Sequence, residues 1–110
     1  MEIRKPSEHL KSMEWCRNFF WLSKKYKVNH GKKVEKELTH LSILGAITLA
    51  YLGEENPDQE MFITVCSEIA EHLRENFSFY GPSSRVIRRW NTEICESKEQ
   101  AIAFLELFGV

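Results

Sequence analysis

The sequence lacks the features that mark membrane proteins and disulfide-rich secreted proteins. Its longest apolar run, Leu41 to Leu52, covers about twelve residues, which is too short to cross a bilayer. The N-terminus, Met-Glu-Ile-Arg-Lys-Pro, has no apolar segment of the kind that signal peptides contain. The three cysteines, Cys16, Cys66 and Cys95, are odd in number and widely spaced, unlike a disulfide framework. We therefore expect a cytoplasmic protein with no membrane association.

Motifs for metals, cofactors and catalysis are also missing. No Cys or His pair has the two-to-five-residue spacing of structural zinc sites. The five glycines are isolated, so no glycine-rich phosphate loop is present. Each cysteine falls in an apolar stripe, where burial makes a thiol inert. The sequence predicts no catalytic, cofactor-binding or metal-binding residue and no cofactor, and we expect a protein that is not an enzyme.

Net charge is small, at −1, but the charges are unevenly distributed. Residues 1–36 carry ten Lys or Arg against four acidic residues, whereas residues 37–83 carry one Arg against eight acidic residues. This segregation has two interpretations. The two regions could simply supply solvated faces of opposite sign, or they could form basic and acidic patches that select a partner.

Hydrophobic spacing predicts a single all-α domain, residues 1–110, folded as a compact bundle of four to five helices. The predicted helices lie near residues 8–26, 33–52, 57–76, 84–95 and 98–108. Asn56 followed by Pro57 and Ser97 followed by Gln100 are typical helix starts. An alternative adds a small β-hairpin near residues 77–95, because that stretch is rich in Val, Ile, Thr and Trp.

The second predicted helix is apolar over most of its circumference from Leu41 onwards, and we expect it to be the central, most buried helix. It contains Gly45, although a glycine inside a helix costs about 1 kcal/mol relative to alanine. Because of this cost, we expect glycine to be required for packing, with a neighbouring segment that approaches the helix closely at Gly45.

The first predicted helix has apolar residues on two opposite faces. Such a helix is either enclosed within the domain or has one face left for a partner. One face carries several aromatic residues, and aromatic residues dominate the energetics of protein interfaces. The residues that we assign to a partner-binding anchor are Trp15, Phe19, Trp21, Leu22 and Tyr26.

The leading hypothesis is therefore a small protein that binds another protein, such as an inhibitor, an immunity-type neutraliser, an adaptor or a small complex subunit. An acidic rim on the third helix, formed by Glu60, Glu68 and Glu71, would set the orientation of the partner. A homodimer that hides the aromatic face satisfies the same pattern.

The alternative hypothesis is a nucleic-acid-associated regulator that uses two basic clusters. The first cluster lies within residues 24–36 and the second within residues 85–89. Arg85, Arg88 and Arg89 are spaced to share one helical face. Phosphate binding by both clusters requires them to be adjacent in space. The residues assigned to this alternative are Lys24, Lys25, Lys32, Lys33, Arg85, Arg88 and Arg89.

Overall fold

The computed structural model describes residues 5–23, 38–53 and 57–110, which form a mostly helical fold with a small sheet. Along these ranges the elements are α1 (Pro6–Lys11), β1 (Glu14–Trp15), β2 (Trp21–Ser23), β3 (Leu38–Leu41), α2 (Ile43–Leu52), α3 (Gln59–Phe77), α4 (Ser83–Glu93) and α5 (Lys98–Leu107). The helical prediction is confirmed in its coarse form, but the protein is not all-α. No helix in the described ranges has the length and apolar composition that a membrane span requires.

The sheet replaces most of the first predicted helix, so the prediction of a helix over residues 8–26 is wrong. Helix α1 ends at Lys11, and the chain then forms β1 and β2. Aromatic residues are favoured in β-strands. Successive side chains of a strand point to opposite faces of the sheet, so a strand can also place apolar residues on two faces. In β2, Trp21 and Ser23 are buried while Leu22 between them is half-buried. The apolar residues that suggested two faces of one helix are therefore divided among α1, the two short strands and the segment between them.

Strand β3 lies at the centre of the sheet. It runs parallel to β1, with Trp15 opposite Leu41, and antiparallel to β2, with Leu22 opposite His40. The predicted helix over residues 33–52 therefore begins too early, because residues 38–41 are a strand and α2 starts only at Ile43. Residues 33–37 lie outside the described ranges.

Helix α2 is the central helix, as predicted. Seven of its ten residues are buried, and it packs against α1, α3 and α4. Ser42 caps its N-terminus, because the Ser42 hydroxyl oxygen accepts a hydrogen bond from the Gly45 N–H at 3.0 Å. The same hydroxyl donates to the Phe20 carbonyl at 2.8 Å, and the Ser42 N–H donates to that carbonyl at 3.0 Å. These bonds hold the segment between β1 and β2 against the start of α2.

The three C-terminal helices follow the predicted positions closely. Asp58 caps α3 by accepting a hydrogen bond from the Met61 N–H at 3.1 Å, so this helix begins two residues later than predicted. The hairpin alternative for residues 77–95 is wrong, because Ser83–Glu93 is helical. Ser97 caps α5 by accepting from the Gln100 N–H at 3.1 Å, as its sequence spacing predicts.

The core is formed where these helices meet. Ile47 of α2, Ile69 of α3, Ile87 of α4 and Leu105 of α5 are fully buried. Trp90 of α4 stacks on an aromatic ring of α5, Phe104, with the ring centroids 4.0 Å apart. This core fixes α3 and α4 side by side and leaves one face of each helix exposed to solvent.

Because Gly45 has no side chain, the backbone at Phe20, just before β2, can lie close to α2. A methyl group added at Gly45 would collide with the Phe20 carbonyl oxygen, which two hydrogen bonds from Ser42 hold in place. The close neighbour predicted from the glycine is therefore backbone, which cannot move aside as a flexible side chain would. This contact accounts for a glycine inside a buried helix.

We expect Gly45→Ala to lower the free energy of unfolding by roughly 1–3 kcal/mol, the usual range for overpacking a rigid site. Helix propensity alone would instead raise stability by about 1 kcal/mol. Urea denaturation followed by circular dichroism measures the difference.

Gly109→Ala is the control for this substitution. A methyl group at Gly109 meets no atom within 4 Å, although its φ of +75° is in the left-handed region. We expect this control to lose only about 1 kcal/mol, from backbone strain. A Gly45→Ala variant as stable as the wild type would contradict the proposed collision.

Candidate binding surface

Asn91 of α4 joins three separate segments of the fold. Its side-chain oxygen accepts hydrogen bonds from the Trp15 indole N–H at 2.8 Å and from the Ile43 backbone N–H at 3.1 Å. Its side-chain NH₂ donates to the carbonyls of Cys16 and Arg17 at 3.1 and 3.0 Å. Asn91 is only 2% exposed, and all four hydrogen-bonding positions of its amide are occupied. It therefore fixes the segment after β1 to both α2 and α4.

Arg17 continues this attachment towards the surface. Its carbonyl also accepts a hydrogen bond from the Thr92 hydroxyl at 3.1 Å, and its guanidinium donates to the Thr92 carbonyl at 3.2 Å. A cation in this position is favourable, because the carbonyls of the last helical turn carry partial negative charge. The guanidinium also lies 5.5 Å from the centre of the Trp15 ring. Arg17 is thus held at the C-terminal end of α4 while remaining exposed.

Three arginines occupy the exposed face of α4. Arg85, Arg88 and Arg89 are all exposed, while Val86 and Ile87 between them are buried. Arg89 forms an ion pair with Glu93 at 2.9 Å and lies 4.3 Å from the centre of the Phe79 ring. Neither Arg85 nor Arg88 has an ion pair within the described residues. Two of the three positive charges therefore have no internal counter-charge there.

Two exposed aromatic residues are close in sequence to residues that contact α4. Phe19 is 48% exposed and follows Arg17, which is bonded to Thr92 at the C-terminal end of α4, by two residues. Tyr80 is 74% exposed and precedes Gly81, which lies close to the side chain of Arg85 at the other end. We refer to the whole set as the arginine surface. Its members are Arg17, Phe19, Tyr80, Arg85, Arg88 and Arg89.

The predicted aromatic anchor is only partly exposed. Trp21 is buried in the core, and Trp15 and Leu22 are half-buried. Phe19 is the most exposed of the four anchor residues that fall in the described ranges. Tyr26 lies outside those ranges, as do four residues of the first basic cluster, Lys24, Lys25, Lys32 and Lys33. Sequence reasoning missed Arg17, which is isolated from other basic residues, and Tyr80, although Tyr80 follows Phe77 and Phe79 in a short aromatic stretch.

The predicted acidic rim lies on the outer face of α3. Glu60, Glu68 and Glu71 are exposed there, together with Glu75, and none has an ion pair within the described part of the chain. Met61 on this helix is also exposed, at 43%. Like charges one helical turn apart, such as Glu71 and Glu75, destabilise a helix slightly. Repulsion between Glu71 and Glu75 therefore lowers the stability of α3 slightly, and no ion pair within the described residues offsets it.

The three thiols are all buried and form no disulfide. Burial raises the pKa of Cys16 and of Cys66 to about 11, and it also raises the pKa of Cys95. Each thiol is therefore protonated at neutral pH and shielded from solvent. Among the described residues, no group of three His, Cys, Asp or Glu side chains could hold a metal ion.

No family model matches the sequence, and neither the curated proteins nor the solved structures include a match. The chemistry of the exposed surface is therefore the basis for a functional proposal. The arginine surface offers positive charge on α4 and aromatic area outside that helix, while the acidic row of α3 offers the opposite charge.

We expect Asn91→Ala to lower the free energy of unfolding by about 3 kcal/mol or more. The substitution leaves the N–H groups of Trp15 and Ile43 without their acceptor, and each unsatisfied buried group costs about 1–3 kcal/mol. Asn18→Ala is the control, since Asn18 is exposed and should change stability by less than about 0.5 kcal/mol. Similar denaturation midpoints for the two variants would show that Asn91 does not hold the fold together.

We also expect stability to decline at alkaline pH because of Cys66. The unfolded chain ionises this thiol at its ordinary pKa of 9.0, whereas burial raises the folded-state pKa to about 11. The stabilising contribution is complete below pH 9 and is lost as pH rises through the folded-state pKa.

Comparison with Cys66→Ala isolates this effect from the titration of lysines and tyrosines. Wild type should exceed the variant in stability at neutral pH, and the difference should shrink towards pH 11. Urea denaturation at several pH values measures it. A difference that stays constant over this range would contradict the assignment.

Proposed function

We propose that this protein is a non-catalytic binding module that docks an acidic partner protein on its arginine surface. Inhibitors, immunity-type neutralisers, adaptors and small complex subunits all work by such docking. The observation that carries the proposal is the attachment of Arg17 to the C-terminal end of α4, next to the exposed arginine row, with exposed Phe19 two residues further along the chain.

The composition of the arginine surface supports protein binding. Arginine and large aromatic residues are enriched among the side chains that contribute most to interface energies. Phe19 and Tyr80 supply apolar area, while Arg85 and Arg88 supply planar donors that suit carboxylates. An acidic partner with exposed apolar side chains would match both kinds of group.

The rigidity of the surface supports the proposal as well. The arginine row lies on a helix whose inner face is buried, and the segment with Arg17 is fixed by hydrogen bonds from Asn91 and Thr92. A surface that is already ordered loses less conformational entropy when a partner binds. The partner therefore needs fewer contacts to reach a given affinity.

The test is affinity purification of the tagged protein from its native lysate, comparing wild type with the double variant Arg85→Glu/Arg88→Glu. We expect one partner at near-stoichiometric amounts with wild type and at least a tenfold loss with the variant. The partner should survive nuclease treatment. Equal recovery with both proteins would place the binding site elsewhere on the molecule.

Lys5→Glu/Lys11→Glu is the charge-matched control, because it changes the net charge equally at exposed positions on and beside α1. It also removes the exposed Lys11–Glu106 ion pair, which contributes little to stability at the surface. Phe19→Ala tests the aromatic contribution, and Leu107→Ala is its control at another exposed apolar position. Both controls should retain the partner. Loss with the controls as well would indicate a nonspecific charge or stability effect.

Nucleic acid is the second candidate partner, favoured by the three exposed arginines on one face of α4. In this case the bound material would be removed by nuclease. Its affinity would also fall steeply with salt, because arginine–phosphate contacts release counterions. Nuclease-resistant binding of a single protein would exclude this candidate.

A further inference from the structure

Two exposed charged rows of opposite sign lie on neighbouring helices. The arginine row occupies the outer face of α4, and the acidic row occupies the outer face of α3. These two helices pack directly against each other. Glu68 and Glu71 have no ion pair within the described residues, and the same is true of Arg85 and Arg88. Each row is therefore available to an external surface of the opposite charge.

The two rows also have matching spacing. Arg85 and Arg88 are three residues apart, as are Glu68 and Glu71, and Glu75 follows one turn later. Each residue of a helix advances about 1.5 Å along the axis, so both pairs are separated by about 4.5 Å along their helices. Two helices that lie side by side can therefore place one carboxylate against one guanidinium at each turn.

We infer that the occupant of the arginine surface is the acidic row of a second copy of this chain. This inference rests on the proposed function and identifies the acidic partner. A two-fold dimer makes such a contact twice, because α3 of each copy faces α4 of the other. Such an arrangement closes on itself, so it produces a dimer and not an open chain of molecules.

The charge balance of the whole molecule supports self-association. The net charge is −1, so two copies approach with little overall repulsion. An exposed apolar side chain also lies near each row in the sequence, namely Met61 next to Glu60 on α3 and Tyr80 shortly before α4. These side chains would become buried in the contact. The ion pairs are at the surface, so the dimer should be weak and sensitive to salt.

Charge-reversal variants provide a direct test by sedimentation equilibrium at low salt. Wild type should move from the chain mass of 13.0 kDa towards twice that mass as its concentration rises. Arg85→Glu/Arg88→Glu should remain monomeric, because both of its rows are acidic. Glu68→Lys/Glu71→Lys should also remain monomeric, because the two central positions of its α3 row then carry the same charge as its arginine row.

An equimolar mixture of the two variants is the decisive sample. In a mixed dimer, both α3–α4 contacts again join opposite charges, so association should return to the wild-type level or above it. When Arg85→Glu/Arg88→Glu is mixed with Lys5→Glu/Lys11→Glu, the mixed dimer has only one such contact, so only the second protein should self-associate and the total association should be lower. Circular dichroism establishes that every variant is folded.

Wild type that stays monomeric, or a mixture that fails to associate, would overturn the dimer. The proposed function has a separate outcome. If a different protein is recovered from the lysate through Arg85 and Arg88 while wild type is monomeric, the binding module stands and the self-association inference fails. If wild type forms the dimer and the mixture restores it, the arginine surface has its acidic partner in a second copy.

Discussion

The buried amide of Asn91 is the interaction on which the remainder of the structure depends. It is the point at which α4, the start of α2 and the segment after β1 meet, and each of its four hydrogen bonds goes to a different group. A buried amide has no water to replace a lost partner, so the groups around it must keep their positions together. The Ile43 N–H is one of the donors that a helix N-terminus leaves unpaired, and Asn91 supplies its acceptor from another helix.

A second constraint acts beside the first. The Phe20 carbonyl accepts two hydrogen bonds from Ser42 and lies where a side chain at Gly45 would have to be. Together with Asn91, this contact joins the sheet to α2 from two directions. The short strands need such support, because strands of two to four residues have few hydrogen bonds of their own. The sheet is stable because α2 and α4 hold the segment between β1 and β2 in place.

The sequence predicts features that depend on neighbouring residues and misses those that depend on distant ones. Helix α5 was predictable because Ser97 and Gln100 form a local cap, and α4 because its arginine row and apolar face repeat at helical spacing. The sequence predicts a helix for the segment from Glu14 to Ser23, wrongly, because its strands pair with β3, fifteen or more residues further along the chain. The sequence does not reveal that Asn91 links α4 to α2 and to the segment after β1, because its hydrogen-bond partners are about fifty to seventy-five residues away.

The candidate surface also combines residues that sequence spacing predicts with residues whose positions depend on contacts between distant parts of the chain. The three arginines of α4 could be read from their spacing, but the positions of Arg17 and Phe19 follow from the hydrogen bonds of Asn91 and Thr92. A binding surface assembled in this way depends on the fold beneath it. If the segment after β1 were released, Phe19 would lose its fixed position and would have to be ordered again whenever a partner binds, at an entropic cost. In the proposed binding module, the Asn91 amide would therefore affect affinity without contacting the partner, because it fixes the segment that carries Phe19 before the partner binds.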